Sequence, residues 1–350
     1  MNFKKTVFLV AISGFLFASC ESDNLPALDP KGVYENGLLI ANEGAFSGGT
    51  GTVNFISDDY LTEESEIFNQ VNGESIGTIL QSIGFNNDDA YLIANVGNKI
   101  TVADRFTMEK ITEITGDLNN PRYIAFANGK GYVTNWGEGS DTTDDFIAVI
   151  DLTTNTISSV IAVTEGPEQI IANGNMLYVS HKGGWGSGNS VTLINSITDT
   201  VEKSILVGNV PDEMIIDNSG NLLVSCEGSA WSTPELLGSL VTINTNSNTV
   251  SSTLDYTPGF HPNNLVFSNS NIYISTSSDV YKMDESASEI PATSIISAIV
   301  NGMSVNNDKI YITDLKDYVT NGTLKIFDAS TYVELREFTV GLIPGKIYFN

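Results

Sequence analysis

Short apolar runs, paired across turns of two or three residues, recur along almost the whole chain. The segments opening at Pro121, Pro167, Pro211 and Pro262 read PRYIAFANGKGYVTNW, PEQIIANGNMLYVSHK, PDEMIIDNSGNLLVSC and PNNLVFSNSNIYISTS. Each holds a short apolar strand, a turn such as Asn128-Gly129 or Ser219-Gly220, and a second strand of Tyr/Leu-Val/Ile-Ser/Thr pattern. Dipeptides of that turn type between apolar runs signal β-hairpins. After a variable loop comes a third strand: FIAVIDL from Phe146, SVTLINS from Ser190, SLVTINT from Ser239. A fourth follows another turn, as TISSVIAV, TVEKSILV and TVSSTLDY. Four antiparallel strands per repeat make one blade of a β-propeller.

The cycle continues where the proline is absent. Gly77 and Gly302 open equivalent segments and Pro344 opens a last one, so the marks fall at residues 77, 121, 167, 211, 262, 302 and 344. That spacing predicts an all-β, seven-bladed propeller over residues 37–350. The two ends complement each other. The chain closes on Pro344-Gly-Lys-Ile-Tyr-Phe-Asn, an innermost strand with no blade behind it, while GLLIANEGAF from Gly37 reads as a second strand with no first. Joining them completes blade one and leaves no open edge between first and last blades. A β-solenoid or two stacked sandwiches would leave the complementary ends unexplained.

The N-terminus carries a different signal. Lys4 and Lys5 precede an apolar run from Val7 to Phe17, broken only by Ser13 and Gly14, and Ala18-Ser19-Cys20 follows. A basic stretch, an apolar stretch too short to span a bilayer and a small-residue site describe a secretory leader over residues 1–19. Ending at a cysteine, it resembles the bacterial lipobox, with Phe17 where that pattern usually has Leu or Val. The expected product is a lipoprotein acylated at Cys20; ordinary cleavage leaving a free thiol is the alternative. Two or three acyl chains, at ~0.8 kcal/mol per buried methylene, anchor stably. Glu21-Ser22-Asp23 resembles the acidic surface-export signal of Bacteroidota lipoproteins, and residues 20–36, with Pro26, Pro30 and Gly32, read as a tether.

Composition narrows the partners. With 16 basic and 42 acidic residues the chain carries a net charge of −26, which repels phosphate backbones and excludes nucleic acid as a natural partner. The other cysteine, Cys226, has no partner once Cys20 is acylated, so it reads as a small buried hydrophobe.

In a propeller, the loops entering the first strand and those joining second to third strands share one face. Here the second-to-third loops are long and glycine-rich, and they hold all three tryptophans. Phe46, Trp136, Trp185, Trp231 and Tyr318 occupy equivalent positions on five blades. Glycines allow close backbone approach and exposed aromatics supply stacking area, which suits a large, partly planar ligand. Packing of each ring on its neighbour's loop is the plainer reading. Polar candidates on the same face are Asn95, Arg122, His181, Glu227, His261 and Asp314, with Asn42, Asn135, Gln169, Asp212 and Asn263 beside them. Short polar side chains at strand ends also commonly satisfy loop backbone groups. No metal site and no cofactor are expected, since His181 and His261 lie two blades apart without a ligand motif. Asp141, Asp144 and Asp145 could hold calcium, although an exposed acidic loop explains them as well. Motifs of hydrolases, zinc proteases and nucleotide-binding loops are missing, so the chain is not read as an enzyme.

The opening Pro, the Tyr-Val-Ser/Thr second strand and Ile147-Ala-Val-Ile-Asp151 in the third resemble the YncE-like, DUF5074-like propellers. With the lipobox and acidic tether, the chain is similar to Bacteroidota surface lipoproteins that partner TonB-dependent outer-membrane transporters. That resemblance implies capture of a bulky, scarce nutrient, a corrinoid such as cobalamin first and a siderophore second, and its delivery to such a transporter. It transfers no individual contact residue. Two other roles stay open: a metal-dependent lactonase or lyase with a cation held by Glu43, Asn95, Glu227 and Asp314, and a glycan- or protein-adhesion module.

Overall fold

The computed structural model describes residues 30–350. The leader, Cys20 and the first part of the expected tether lie outside the described residues. The tether's last residues are part of the fold, not free linker: Tyr34 is buried, its N–H donates to the Phe106 carbonyl (2.9 Å), and its ring meets Phe55 edge-on at 5.1 Å.

Seven four-stranded antiparallel sheets follow one another around a ring. In blade three the order from the centre outwards is Pro121–Ala127, Lys130–Asn135, Phe146–Asp151 and Thr156–Ala162. Blade one is closed by the two ends of the chain, as the sequence predicts. Pro344–Phe349 pairs antiparallel with Gly37–Asn42, with Leu38 opposite Phe349, Leu39 opposite Tyr348 and Ile40 opposite Ile347. The innermost strand of blade two begins at Leu80, three residues past the mark read at Gly77. Among the described residues there is one helix, Ile67–Asn72, which the strand pattern does not predict; it follows the two-residue outer strand Glu63–Glu64 of blade one and buries Ile67 and Phe68.

Why the second strands read as unbroken apolar runs follows from the packing. Side chains alternate across a strand, and here both faces of each sheet are covered by a neighbouring blade. Leu38 and Ile40 face blade seven beside Tyr311, Leu324 and Ile326. Leu39 and Ala41 face blade two beside Leu80, Ile83 and Leu92. The core is therefore divided into seven clusters, one per blade–blade interface. Cys226 is fully buried between blades four and five, as expected of a small hydrophobe.

The face carrying the short turns is fastened by a recurring contact. Tyr91 donates to Asn155 (2.8 Å), Tyr132 to Asp199 (2.7 Å) and Tyr178 to Asn248 (2.6 Å). Each tyrosine sits on a second strand, and each acceptor sits in the third-to-fourth turn of the next blade. The acceptors have left-handed backbone, with φ of 51°, 55° and 52°, a conformation Asn and Asp tolerate better than other side-chain-bearing residues.

Candidate functional site

The opposite face is built by two repeated local devices. At the start of the innermost strands the register slips between Pro121 and Ile124, Pro167 and Ile170, and Pro211 and Met214. Such a bulge re-aims side chains, and the residues inside it meet in the channel. The second device is the position directly after a second strand, held by Glu43, Trp136, Lys182 and Glu227.

Together they form a charged network. Arg122 donates from Nε and Nη2 to the Glu168 carboxylate (3.0 and 2.8 Å) and from Nη1 to Gln81 (2.7 Å). Lys182 bonds Asp212 at 2.6 Å and Glu227 at 3.0 Å. Lys346, from the closing strand, pairs with Glu213, which also accepts from Gln169 at 2.5 Å. Burial alone would raise the Asp212 carboxyl, but Lys182 and a hydrogen bond with Glu227 outweigh it and hold Asp212 well below the usual range. Burial and the Asp212 charge together push Glu227 well up. The two adjacent carboxyls are thus driven apart, Asp212 down and Glu227 up. Burial also raises Glu43, against the pull of Arg122.

The aromatic set divides. Trp185 and Trp231, on the loops of blades four and five, are 78 % and 96 % exposed. Phe46 and Tyr318 are exposed as well. Trp136 is a correction: it is half-buried under the Arg122 guanidinium, which stacks 4.1 Å from its ring. A cavity of about 270 Å³ lies against Trp231, lined also by Gly186, Ser187, Glu227, His261 and Asn263. Gly183 (φ 99°) and Gly228 (φ 68°) turn the loops beside it where a Cβ would strike backbone within 3 Å.

The polar candidates also divide. Arg122 and Glu227 reach the channel. His181 does not: it is buried, with Nε2 against the Thr192 hydroxyl (2.8 Å) and Nδ1 against the Glu165 carbonyl (3.2 Å). Burial lowers its pKa to about 4, so it is neutral and fixes the incoming loop. Asn42 and Asn135 do the same work for their loops, accepting from Gly341 and Asn119 at 3.0 Å. Asn95 spends its amide on Asn120 and the Pro121 carbonyl. Asp314 is buried against Lys325 (3.4 Å) and the Lys316 amide (2.8 Å). His261 stays half-buried at the cavity, bonded to the Glu227 carbonyl (2.8 Å) and Glu235 (2.9 Å). Glu43, Asn95, Glu227 and Asp314 therefore belong to separate contacts. Among the described residues no three His, Cys, Asp or Glu side chains come together to hold a metal ion.

Four charged network members were missed by sequence reasoning, Glu168, Glu213, Lys182 and Lys346, as was the uncharged Gln81. Of the four, the first, second and fourth had a signal. Each lies one or two residues after an opening proline, in Pro-Glu-Gln, Pro-Asp-Glu and Pro-Gly-Lys.

The profile of the domain of unknown function DUF5074 matches residues 36–327, from the second strand of blade one into blade seven. The chain belongs to the DUF5074 family. No curated protein matches the sequence. Solved structures similar to this family member include a quinoprotein alcohol dehydrogenase-like protein from Bacteroides thetaiotaomicron, at 15 % identity over 90 % of this chain and 78 % of that one, with a TM-score of 0.68. The periplasmic gluconolactonase of Pseudomonas aeruginosa aligns at 11 % identity over 89 % and 99 % of the two chains, with a TM-score of 0.65. Apo AztD from Citrobacter koseri aligns at 13 % over 89 % and 96 %, with a TM-score of 0.53. At such identities the shared property is the propeller itself, on which the named roles vary.

Proposed function

We propose that this protein is a lipid-anchored, surface-exposed outer-membrane protein that captures a bulky, scarce nutrient on its loop face. Its cargo is a corrinoid in preference to a siderophore, and it passes that cargo to a TonB-dependent transporter. It acts as a binding protein and not as an enzyme. The observation that carries the reading is the pair of tryptophans on adjacent blades, Trp185 and Trp231, both far more exposed than large aromatics usually are. Each ring offers about 200 Å² of contact area to a ligand. Glu227 and His261 beside Trp231 supply the few polar groups that fix orientation. The corrinoid preference, the anchor at Cys20 and the transporter come from the family resemblance of the sequence.

Intrinsic tryptophan fluorescence tests the cargo. Cyanocobalamin should quench saturably at stoichiometric ligand after inner-filter correction. Quenching by ferric siderophores alone would keep capture and change the cargo. Silence from both would overturn the reading. Protease shaving of intact cells tests surface display: cleavage without lysis is expected, and protection would place the protein on the periplasmic side.

A further inference from the structure

Buried polar side-chain atoms without a hydrogen-bond partner are few among the described residues, and they are not evenly spread. Of five such atoms, three lie in the blade-three loop over residues 136–145: Trp136 Nε1, Asp144 Oδ1 and Asp145 Oδ2. The two carboxylates are each half-used. Asp144 accepts from the Glu138 amide with its other oxygen (2.9 Å), and Asp145 accepts from the Gly166 amide with its own (2.7 Å). Asp145 is only 3 % exposed, which corrects the expectation of an exposed acidic loop. Asp141 is the solvent-facing member, and its Oδ1 accepts from Thr143 at 3.0 and 2.6 Å.

A buried anionic oxygen left unpaired is costly, and two in consecutive residues call for a shared counter-charge. The charges acting on Asp145 are those of Asp144 and Glu165, both of its own sign. A surface groove of about 640 Å³, lined by Asp117, Asn119, Thr143 and the two carboxylates, gives a small ion a way in. We propose that this loop binds one calcium ion through Asp144 Oδ1 and Asp145 Oδ2. The chemistry favours calcium over a transition metal, because the side chains offered are oxygen donors with no histidine or thiol among the groove residues. Two carboxylates leave the remaining positions to main-chain carbonyls and water, which calcium's six to eight oxygen ligands allow. The same elements explain a structural consequence. The Gly139 carbonyl of this loop accepts from the Trp185 amide (3.3 Å), so an ion that fixes the loop also steadies the neighbouring tryptophan.

The test is calorimetry of chelator-treated protein titrated with calcium chloride, paired with thermal melts in calcium or in chelator. One saturable equivalent is expected, with the melting temperature raised by about 5 °C at calcium well above its Kd. The double variant Asp144→Asn/Asp145→Asn should lose the binding heat while keeping its circular dichroism spectrum. Asp141→Asn should bind as wild type, which keeps the test decisive if the double variant fails to fold. No heat and no melting shift in the wild-type protein would mean that water satisfies these oxygens, and the proposal would fall. Full binding in a folded double variant, or loss of binding in Asp141→Asn, would overturn it equally.

Discussion

The two faces of this ring are made from the same blades, yet they use aromatic side chains for opposite ends. On the turn face, Tyr91, Tyr132 and Tyr178 are buried and each reaches across to the next blade's turn. On the loop face, Trp185 and Trp231 are mostly exposed, although Trp185 rests one edge of its ring against Gly139 of the blade-three loop. The difference lies in the connections. In blades three, four and five a short turn with an Asn or Asp in the left-handed region places an acceptor at the same spot, so the tyrosine of the preceding blade is satisfied there. Loops of differing length and glycine content offer no such repeated partner. What is left unpartnered on that face is free to meet something else, and this contrast is the physical basis for placing function there.

The channel between the faces should give the largest effect. Arg122→Ala removes the partner of Glu168, which is 2 % exposed, and strands a buried charge. A loss of roughly 3–5 kcal/mol in denaturant unfolding is expected; a loss below 1 kcal/mol would show the network to be loosely solvated. Next comes pH. The folded-state pKa of His181 is lowered to about 4 from 6.5, so the native state resists its protonation. Its contribution is fully present above pH 6.5 and is lost as pH falls from there towards 4, amounting to about 3 kcal/mol. Unfolding at a series of pH values should show that slope in the wild type and lack it in His181→Gln. An unchanged slope in the variant would mean that other groups, Asp145 among them, govern acid stability.

A smaller effect sharpens the contrast of the faces directly. Tyr132→Phe removes the one hydroxyl proton shared between Asp199 (2.7 Å) and the Ser196 carbonyl (2.8 Å), both of which Lys130 still contacts. About 1–2 kcal/mol of stability should go with no change in ligand affinity. Trp231→Ala should do the converse, leaving the melting curve within about 0.5 kcal/mol of wild type, because an almost fully exposed ring contributes little packing.

Much of the fold was legible because a propeller repeats its instructions. The apolar second strands, the Asn-Gly turns and the opening prolines recur at a nearly constant period, and the incomplete first and last units define the closure. The helix over Ile67–Asn72 was not legible, since it belongs to a single connection and has no counterpart in other blades. The site was legible in part. The exposure of Trp185 and Trp231 followed from their place in the repeat, but the same reasoning misplaced Trp136, because nothing in the local sequence shows that Arg122 would stack on it. His181 and Asp314 were misjudged for a related reason: a polar residue at a strand end can face the channel or grip the adjoining loop, and only the neighbouring backbone decides. The dipeptides behind the opening prolines are legible in part: Arg122, Gln169 and Asp212 stand out as polar candidates there, whereas Glu168, Glu213 and Lys346 at the same places went unread.

The central claim is that the loop face, through its exposed tryptophans, binds the cargo. Isothermal titration calorimetry of cyanocobalamin against the wild type and Trp185→Ala/Trp231→Ala tests it most directly. A stoichiometric complex is expected, weakened at least tenfold (about 1.4 kcal/mol) in the double variant with its melting temperature unchanged. Equal affinity in the two proteins, or no binding by the wild type, would contradict the account.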